Sequence, residues 1–390
     1  MNPFKKVTAV LLAVLMIVLA AGCTPISLSK EWSYKYGDQE LPIGVYIYSM
    51  YQAYNEAKSY AEKLDDYATD KSFLDLEITD DDGNTQVARE WILDKADKIT
   101  RNVIAINSEI ENNNVTVDQA TLDEAEKTAK NTWDMGQYAS YGYFSPMSKE
   151  LEPYGISYES FYISTYEAMA KQSCLFNALY GKGGAKEVTD AELTEYFNSN
   201  YTDYKYFAAN LYTSETGEDG TSTNVALSDE DKEKVKAELD KYAEEVNSGK
   251  SFDDVVKEYM DNNSITEDPT KTGTEVLDKS SIGDELKEKL GEMAEGTCAT
   301  VAVGDGDSAQ YYLIYKGKIA DAADGYISDD TNRTSVLSAM KSEDFNSYLE
   351  DLATNLDVEI NTSQTNRYKP DMFFVPVAPS TAATTSASES

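Results

Sequence analysis

Ile92, Ala96, Ile99, Val103, Ile106 and Ile110 recur at alternating steps of four and three residues. That spacing lines one side of a helix with apolar groups and lays it against a second helix. Residues 41–67 repeat the pattern with Ile43, Ile47, Met50, Tyr51, Tyr54, Ala57, Ala61 and Leu64. Further helices are expected at 117–138, 158–180 and 189–200, the last opened by Thr189 with Glu192 three residues on, a reciprocal cap. Near the other end, residues 334–355 place Val336, Leu337, Met340, Phe345, Leu349 and Leu352 on a helical side.

Between these helical ends the period changes. Residues 204–212 are rich in strand formers, and a Gly, Thr and Ser loop leads to a charged amphipathic helix at 228–247. A short helix at 252–260, a polar loop, a helix at 285–293 and strands at 300–303 and 310–315 follow. Strand, helices, strand, strand describes a small α+β domain of about a hundred residues. The fold class expected for the whole chain is therefore α+β, mostly helical. The acidic run Asp80, Asp81, Asp82, Gly83, Asn84 is expected as a solvated turn, because the later ligands and bidentate glutamate of a calcium loop are missing.

Two absences limit the chemistry. With no histidine among 390 residues there is no Ser-His-Asp triad, Cys-His pair or imidazole metal site, and no metal or other cofactor is implied. Of three cysteines, Cys174 and Cys298 fall in separate expected domains and are expected as unpaired, small apolar residues. The third, Cys23, ends the N-terminal leader. A formal net charge of -36 argues against nucleic acid as a partner, since that binding depends on Lys and Arg meeting phosphate.

The leader itself has the order of a secretory signal. Lys5 and Lys6 precede an apolar stretch at 7–21, interrupted only by Thr8 and shorter than the roughly 20 residues a permanent span needs. Leu19-Ala20-Ala21-Gly22-Cys23 resembles the lipobox of bacterial lipoproteins, with Ala20 where that motif more often has Leu. The resemblance implies cleavage before Cys23 and lipid on that residue, a diacylglyceryl group plus an N-acyl chain that together suffice for stable anchoring on the extracytoplasmic face of a membrane.

Gly249-Lys250-Ser251-Phe252-Asp253-Asp254-Val255-Val256-Lys257-Glu258-Tyr259 resembles the parvulin-type peptidyl-prolyl isomerase pattern G-x-x-F-x-x-L-A-x-x-Y-S. Thr272-Gly273 stands where parvulins often have two glycines, Glu295-Gly296 where they have a Gly-Glu turn, and Tyr311-Tyr312-Leu313-Ile314 where they have Tyr-His-Ile-Ile. The flanking Val188-Thr189-Asp190-Ala191-Glu192-Leu193 and Tyr196-Phe197 are similar to the helical lobes of PrsA- and SurA-type foldases. Together these imply an export foldase, a helical chaperone lobe with an inserted isomerase domain, acting on unfolded or partly folded secreted polypeptides. The departures fall on the polar positions. The family's two histidines map to Ala208 or Ala209, depending on register, and to Tyr312; its acidic or thiol residue maps to Asn262; its apolar proline pocket maps to Ile282 and Leu286, the latter replacing an aromatic. The candidate proline-pocket set is therefore Ala209, Asn262, Ile282, Leu286 and Tyr312, with catalytic residues unassigned.

The organisation expected is a leader at 1–22, lipidated Cys23 and tether through 40, a helical domain at 41–202, a parvulin-like domain at 203–319, a C-terminal helical segment at 320–366 packing on the helical lobe, and a tail without a core at 367–390. Three functions stay open: a tethered chaperone whose isomerase domain only binds, an active isomerase, and a solute-binding lipoprotein of a transporter. An exposed apolar patch favours the first and a pocket closed by Ile282, Leu286 and Tyr312 the second; the sequence lacks the alternating strands and helices of the third, which an open hinge between two α/β lobes would revive. Tyr46, Tyr48, Tyr51, Tyr54, Tyr138, Tyr141 and Tyr143 are the tyrosines from which a client surface is expected. No oligomeric state follows from the sequence.

Overall fold

A computed structural model describes residues 31–216 and 220–376. The leader, Cys23 and residues 377–390 lie outside the described residues. No described helix is long and apolar enough to cross a membrane. The fold is α+β and mostly helical, and the chain divides into two compact units, Met1–Leu179 with Asp344–Ser390, and Tyr180–Glu343.

In the first unit, β1 (Trp32–Tyr36) and β2 (Gln39–Pro42) form an antiparallel pair that starts in the stretch expected as tether and runs two residues into the expected helical domain. Alternation drives Tyr34 into the core, where its hydroxyl donates to Asp97 at 2.7 Å. Helix α1 (Ile43–Ala61) follows directly and is buried on most sides, including Ile47, Met50, Ala53 and Ala57. After the hairpin β3 (Glu77–Thr79) and β4 (Thr85–Val87), helix α2 (Ala88–Asn112) packs against α1. The acidic run is the tip of that hairpin. The Asp80 carboxylate accepts from the Asn84 amide at 2.8 Å and the Asp82 amide at 3.2 Å, closing the turn.

Helix α3 (Gln119–Met135) is capped by Asp118. Two short helices, α4 (Met147–Leu151) and α5 (Tyr158–Tyr162), lead through a π-helical turn at Ile163–Glu167 into α6 (Ala168–Tyr180). The 3.6-period reading of 158–180 does not anticipate that turn, a single-turn insertion inside an otherwise α-helical run.

The second unit opens with α7 (Asp190–Asn200), whose Thr189 and Glu192 make both halves of the expected capping box. Then come β5 (Thr202–Asn210), the hairpin β6 (Tyr212–Thr216) and β7 (Ser222–Ala226), α8 (Asp229–Asn247), α9 (Phe252–Asn262) and β8 (Lys271–Glu275). Helix α10 (Asp284–Glu292), β9 (Thr297–Val303), β10 (Gln310–Lys316) and α11 (Ile319–Ser328) complete it, and α12 (Asp330–Asn355) begins within it. One sheet in the order β8-β5-β10-β9 organises the unit. The Gly, Thr and Ser loop of the sequence reading is the β6–β7 hairpin, and the polar loop contains the edge strand β8. Every strand pairing described is antiparallel, so nothing here supports the doubly wound arrangement of the solute-binding alternative.

Candidate functional site

Period-two alternation gives this sheet two unlike faces. Phe207, Ala209 and Leu313 point to one side, where Leu239, Tyr242 and Val246 of α8 and Phe252, Val255 and Tyr259 of α9 bury them. Tyr204, Tyr206, Tyr312, Ile314, Val301 and Val303 point to the other, against Ile282, Leu286, Leu290 and Met293. Only Tyr204, Leu286, Leu290 and Ile314 are fully buried there; Tyr206, Ile282, Met293, Val301, Val303 and Tyr312 keep partial exposure. At 1.5 Å per residue, nine-residue α10 is about 14 Å long, whereas seven-residue β10 runs about 24 Å. So short a helix closes part of the face and leaves an apolar groove beside it.

The groove is aromatic and firmly built. Tyr204 and Tyr206 stack with ring centres 6.1 Å apart, and Tyr206 meets Tyr312 at 5.8 Å. The Tyr204 ring lies over β8 at Gly273, where a Cβ would come within 2.4 Å of it, so the strand needs glycine for space at that point. The Tyr204 hydroxyl and the Ser280 hydroxyl both donate to Glu275, the second at 2.7 Å. Lys316 reaches the carbonyls of Leu290 and Met293 at 2.8 and 3.0 Å, a cation at the C-terminal end of α10. Gly296, with φ of 75°, makes the turn into β9 and donates to the Lys316 carbonyl at 2.7 Å.

Of the residues proposed from sequence, Ile282, Leu286 and Tyr312 meet on this groove face. Ala209 and Asn262 do not. Tyr312 pairs with Ala208, and directly opposed residues share a face, so the register places Ala208 beside Tyr312 and turns Ala209 under the helices. Asn262 ends α9 on that opposite side, exposed, and its Nδ2 donates to the Tyr242 hydroxyl at 3.0 Å. Tyr206, Val301, Val303 and Met293 join the groove unannounced. Alternation within β5 and β10 marks their sides, but only the interstrand register says which sides coincide.

Burial pushes the Tyr312 phenol up, and burial with the Glu275 hydrogen bond pushes Tyr204 up to about 12. Tyr312 donates to Gln310 at 2.8 Å, and Gln310 in turn donates to Asn210 at 2.7 Å. What the groove supplies is apolar contact and phenol hydroxyls, with the Glu275 carboxylate and the Lys316 ammonium engaged in bonds that hold its walls. Cys298 lies under α8, free, its thiol pushed up to about 12 by burial, and Cys174 is also free.

In the first unit the candidate tyrosines separate into two populations. Tyr46, Tyr48 and Tyr54 are core residues, and Tyr51 is half-buried beside a cleft of about 320 Å³ also lined by Tyr67, Tyr154 and Phe373. The loop at 136–146 is different. Tyr138, Tyr141, Tyr143 and Phe144 are 57, 77, 73 and 69% exposed, and the loop contains no charged residue in a chain of net charge -36. Its base is fixed: the Ser145 amide donates to the Met135 carbonyl at 3.0 Å, and Gly136, with φ of 96°, sits where a Cβ would fall 2.4 Å from the Ser145 carbonyl oxygen. The Tyr141 and Tyr143 amides both donate to the Tyr138 carbonyl, at 3.0 and 3.3 Å.

No family model matches the sequence, and no curated protein matches it. Among solved structures, the foldase protein PrsA from Streptococcus pneumoniae str. Canada MDR_19A is similar at 13% identity, over 75% of this chain and 97% of that one, with a TM-score of 0.34. PrsA from Bacillus subtilis is similar at 14% identity, over 76% and 100%, with a TM-score of 0.26. Both likenesses are long in coverage and loose in superposition.

Proposed function

We propose that this chain is a lipid-anchored, extracytoplasmic chaperone of exported polypeptides, with a parvulin-like domain that binds chains without turning over X-Pro bonds. The observation that carries the reading is the charge-free loop with four exposed aromatic side chains. Tyrosine and phenylalanine on a pinned loop give broad apolar contact at little entropic cost, and Tyr, Ser and Gly together form adaptable, sequence-tolerant contact surfaces. The anchor rests on the Lys5, Lys6, apolar stretch and Cys23 sequence, and the parvulin-like assignment on the Gly249 to Tyr259 motif. Clients are unfolded or partly folded secreted chains.

Ile282, Leu286 and Tyr312 on one half-open face favour a second reading, active isomerisation. The barrier to X-Pro rotation is about 18–20 kcal/mol and comes from amide resonance, so an apolar site that desolvates the bond and holds the proline ring lowers it without a nucleophile. Against it, the chain has no histidine, so the usual pair that favours the twisted amide electrostatically is missing. A soluble form beginning at Thr24, assayed for suppression of a secreted protein's aggregation and, in parallel, for protease-coupled X-Pro isomerisation, tests both. Suppression without catalysis supports the chaperone; catalysis lost in Tyr312→Ala supports the isomerase; the absence of both activities overturns the foldase reading.

A further inference from the structure

The two outer edges of the second unit's sheet are finished differently. Strand β8 carries Lys271 and Glu275, and the outward carbonyl of Thr274 accepts from the Tyr326 hydroxyl at 3.3 Å. Charge and a covering side chain are the usual ways an edge is kept from pairing with foreign strands. Strand β9 at the opposite edge reads Thr-Cys-Ala-Thr-Val-Ala-Val, with neither charge, glycine nor proline.

Which groups of β9 face outward follows from hydrogen bonds. The Asn247 side chain donates to the Cys298 carbonyl at 2.9 Å and accepts from the Cys298 amide at 2.8 Å, so both main-chain groups of Cys298 point away from β10. The ladder with β10 is regular from Cys298 to Val303, so the same orientation returns two and four residues on, at Thr300 and Ala302. Among the described residues nothing bonds to their amides or carbonyls, and Ala302 is exposed. Asn247 thus holds one position of this edge as a neighbouring strand's peptide group would, and the next two keep unpaired main-chain groups among the described residues, half-buried Thr300 with its hydroxyl on Asp240 of α8 and exposed Ala302.

We propose that the Thr300–Ala302 edge of β9 takes an extended segment of unfolded polypeptide by strand addition, a reading that rests on the chaperone assignment and gives it a second, main-chain-directed site. Main-chain hydrogen bonds make such capture indifferent to sequence, while alternate side chains read a pocket. The pocket here is continuous with the edge. Val301 lies opposite Tyr312 in the ladder, so the incoming residue beside Val301 projects onto the groove face and packs on Val301, which stands between it and the Tyr312 ring. Charge selects the occupant further: acids outnumber lysines on α8, which packs beside β9, and Asp305 and Asp307 follow its end, so segments with flanking lysine or arginine are favoured.

The test uses the whole mature chain and a fluorescent, lysine-flanked peptide of alternating threonine and valine, with two isomers N-methylated on alternate sets of residues. Strand addition needs only one of the two sets of amides, so one isomer binds as the parent does and the other loses binding. Ala302→Pro removes an outward donor without removing a ladder bond and lowers affinity about fivefold or more. Asn247→Ala, which uncovers the Cys298 position, raises it. Equal binding of both isomers, or an Ala302→Pro variant that binds as the parent does, overturns the edge site. Aggregation suppression is read on the same preparations: suppression with no isomer discrimination keeps the chaperone and rejects the edge, whereas discrimination without suppression keeps the edge and rejects the chaperone.

Discussion

Phe207 and Leu313 lie under α8 and α9 and are fully buried, while Tyr206 and Tyr312, one residue away on the same strands, look into a groove that α10 only partly roofs. The two faces share strands, register and twist and differ in how much helix covers them. Coverage, more than strand sequence, separates a core from a candidate binding surface here. The register puts Ala208 and Tyr312 side by side on the less covered face, so these two sequence-selected positions share the candidate binding surface.

The comparison breaks most visibly through packing. Phe207→Ala leaves a cavity with no route to collapse under two helices and is expected to cost about 3–5 kcal/mol, measured by denaturant unfolding with unchanged slope. Leu286→Ala empties the roofed part of the groove and is expected to cost about 2–3 kcal/mol, less because the neighbouring open space lets side chains relax. By contrast Tyr312→Ala, from a half-buried position, is expected to cost under about 2 kcal/mol while weakening peptide binding in a direct titration. If Tyr312→Ala instead unfolds the domain, the groove face is a core like the other.

A subtler separation comes from pH. Burial pushes Tyr46, Tyr48, Tyr54 and Tyr204 up to about 12, whereas an unfolded phenol ionises near about 10. Their folded values are raised, so the stability they contribute is complete below about pH 10 and is lost as pH rises towards 12. Absorbance titration alongside unfolding should show buried phenolate appearing only with the structural transition. The smallest effect concerns thiols: Cys298, under α8 and held neutral, is expected to resist alkylation until denaturant is added, while partly exposed Cys174 reacts earlier. Equal labelling rates would mean that the helix-covered face opens readily.

Long amphipathic helices were legible in the sequence because their cores are one-sided: Ile92 to Ile110 marks α2, and Thr189 with Glu192 marks the start of α7. Short polar strands were not. Lys271–Glu275 looks like loop because an edge strand needs no apolar side, and the ring of Tyr204 supplies the packing that its own residues lack. Trp32–Tyr36 reads as tether for a different reason: its partner, Glu359–Ile360, lies more than three hundred residues away. Helix α11 buries Ile319, Ala323 and Ile327, too brief a repeat to stand out around Gly325. At the groove, the motif located Ile282, Leu286 and Tyr312, but the choice between Ala208 and Ala209 turned on one step of register. The tyrosines could not be sorted by pattern at all, since Tyr46 and Tyr141 differ in what surrounds them and not in type.

The most direct test of the account replaces Tyr138, Tyr141, Tyr143 and Phe144 together with serine in the soluble chain and measures suppression of a secreted client's aggregation, with X-Pro isomerisation followed on the same samples. The account predicts that the parent suppresses aggregation without catalysis above background, and that the loop variant, folded and equally stable, loses most of the suppression. A loop variant that protects the client as well as the parent, or a parent that catalyses isomerisation in a Tyr312-dependent way, would contradict it.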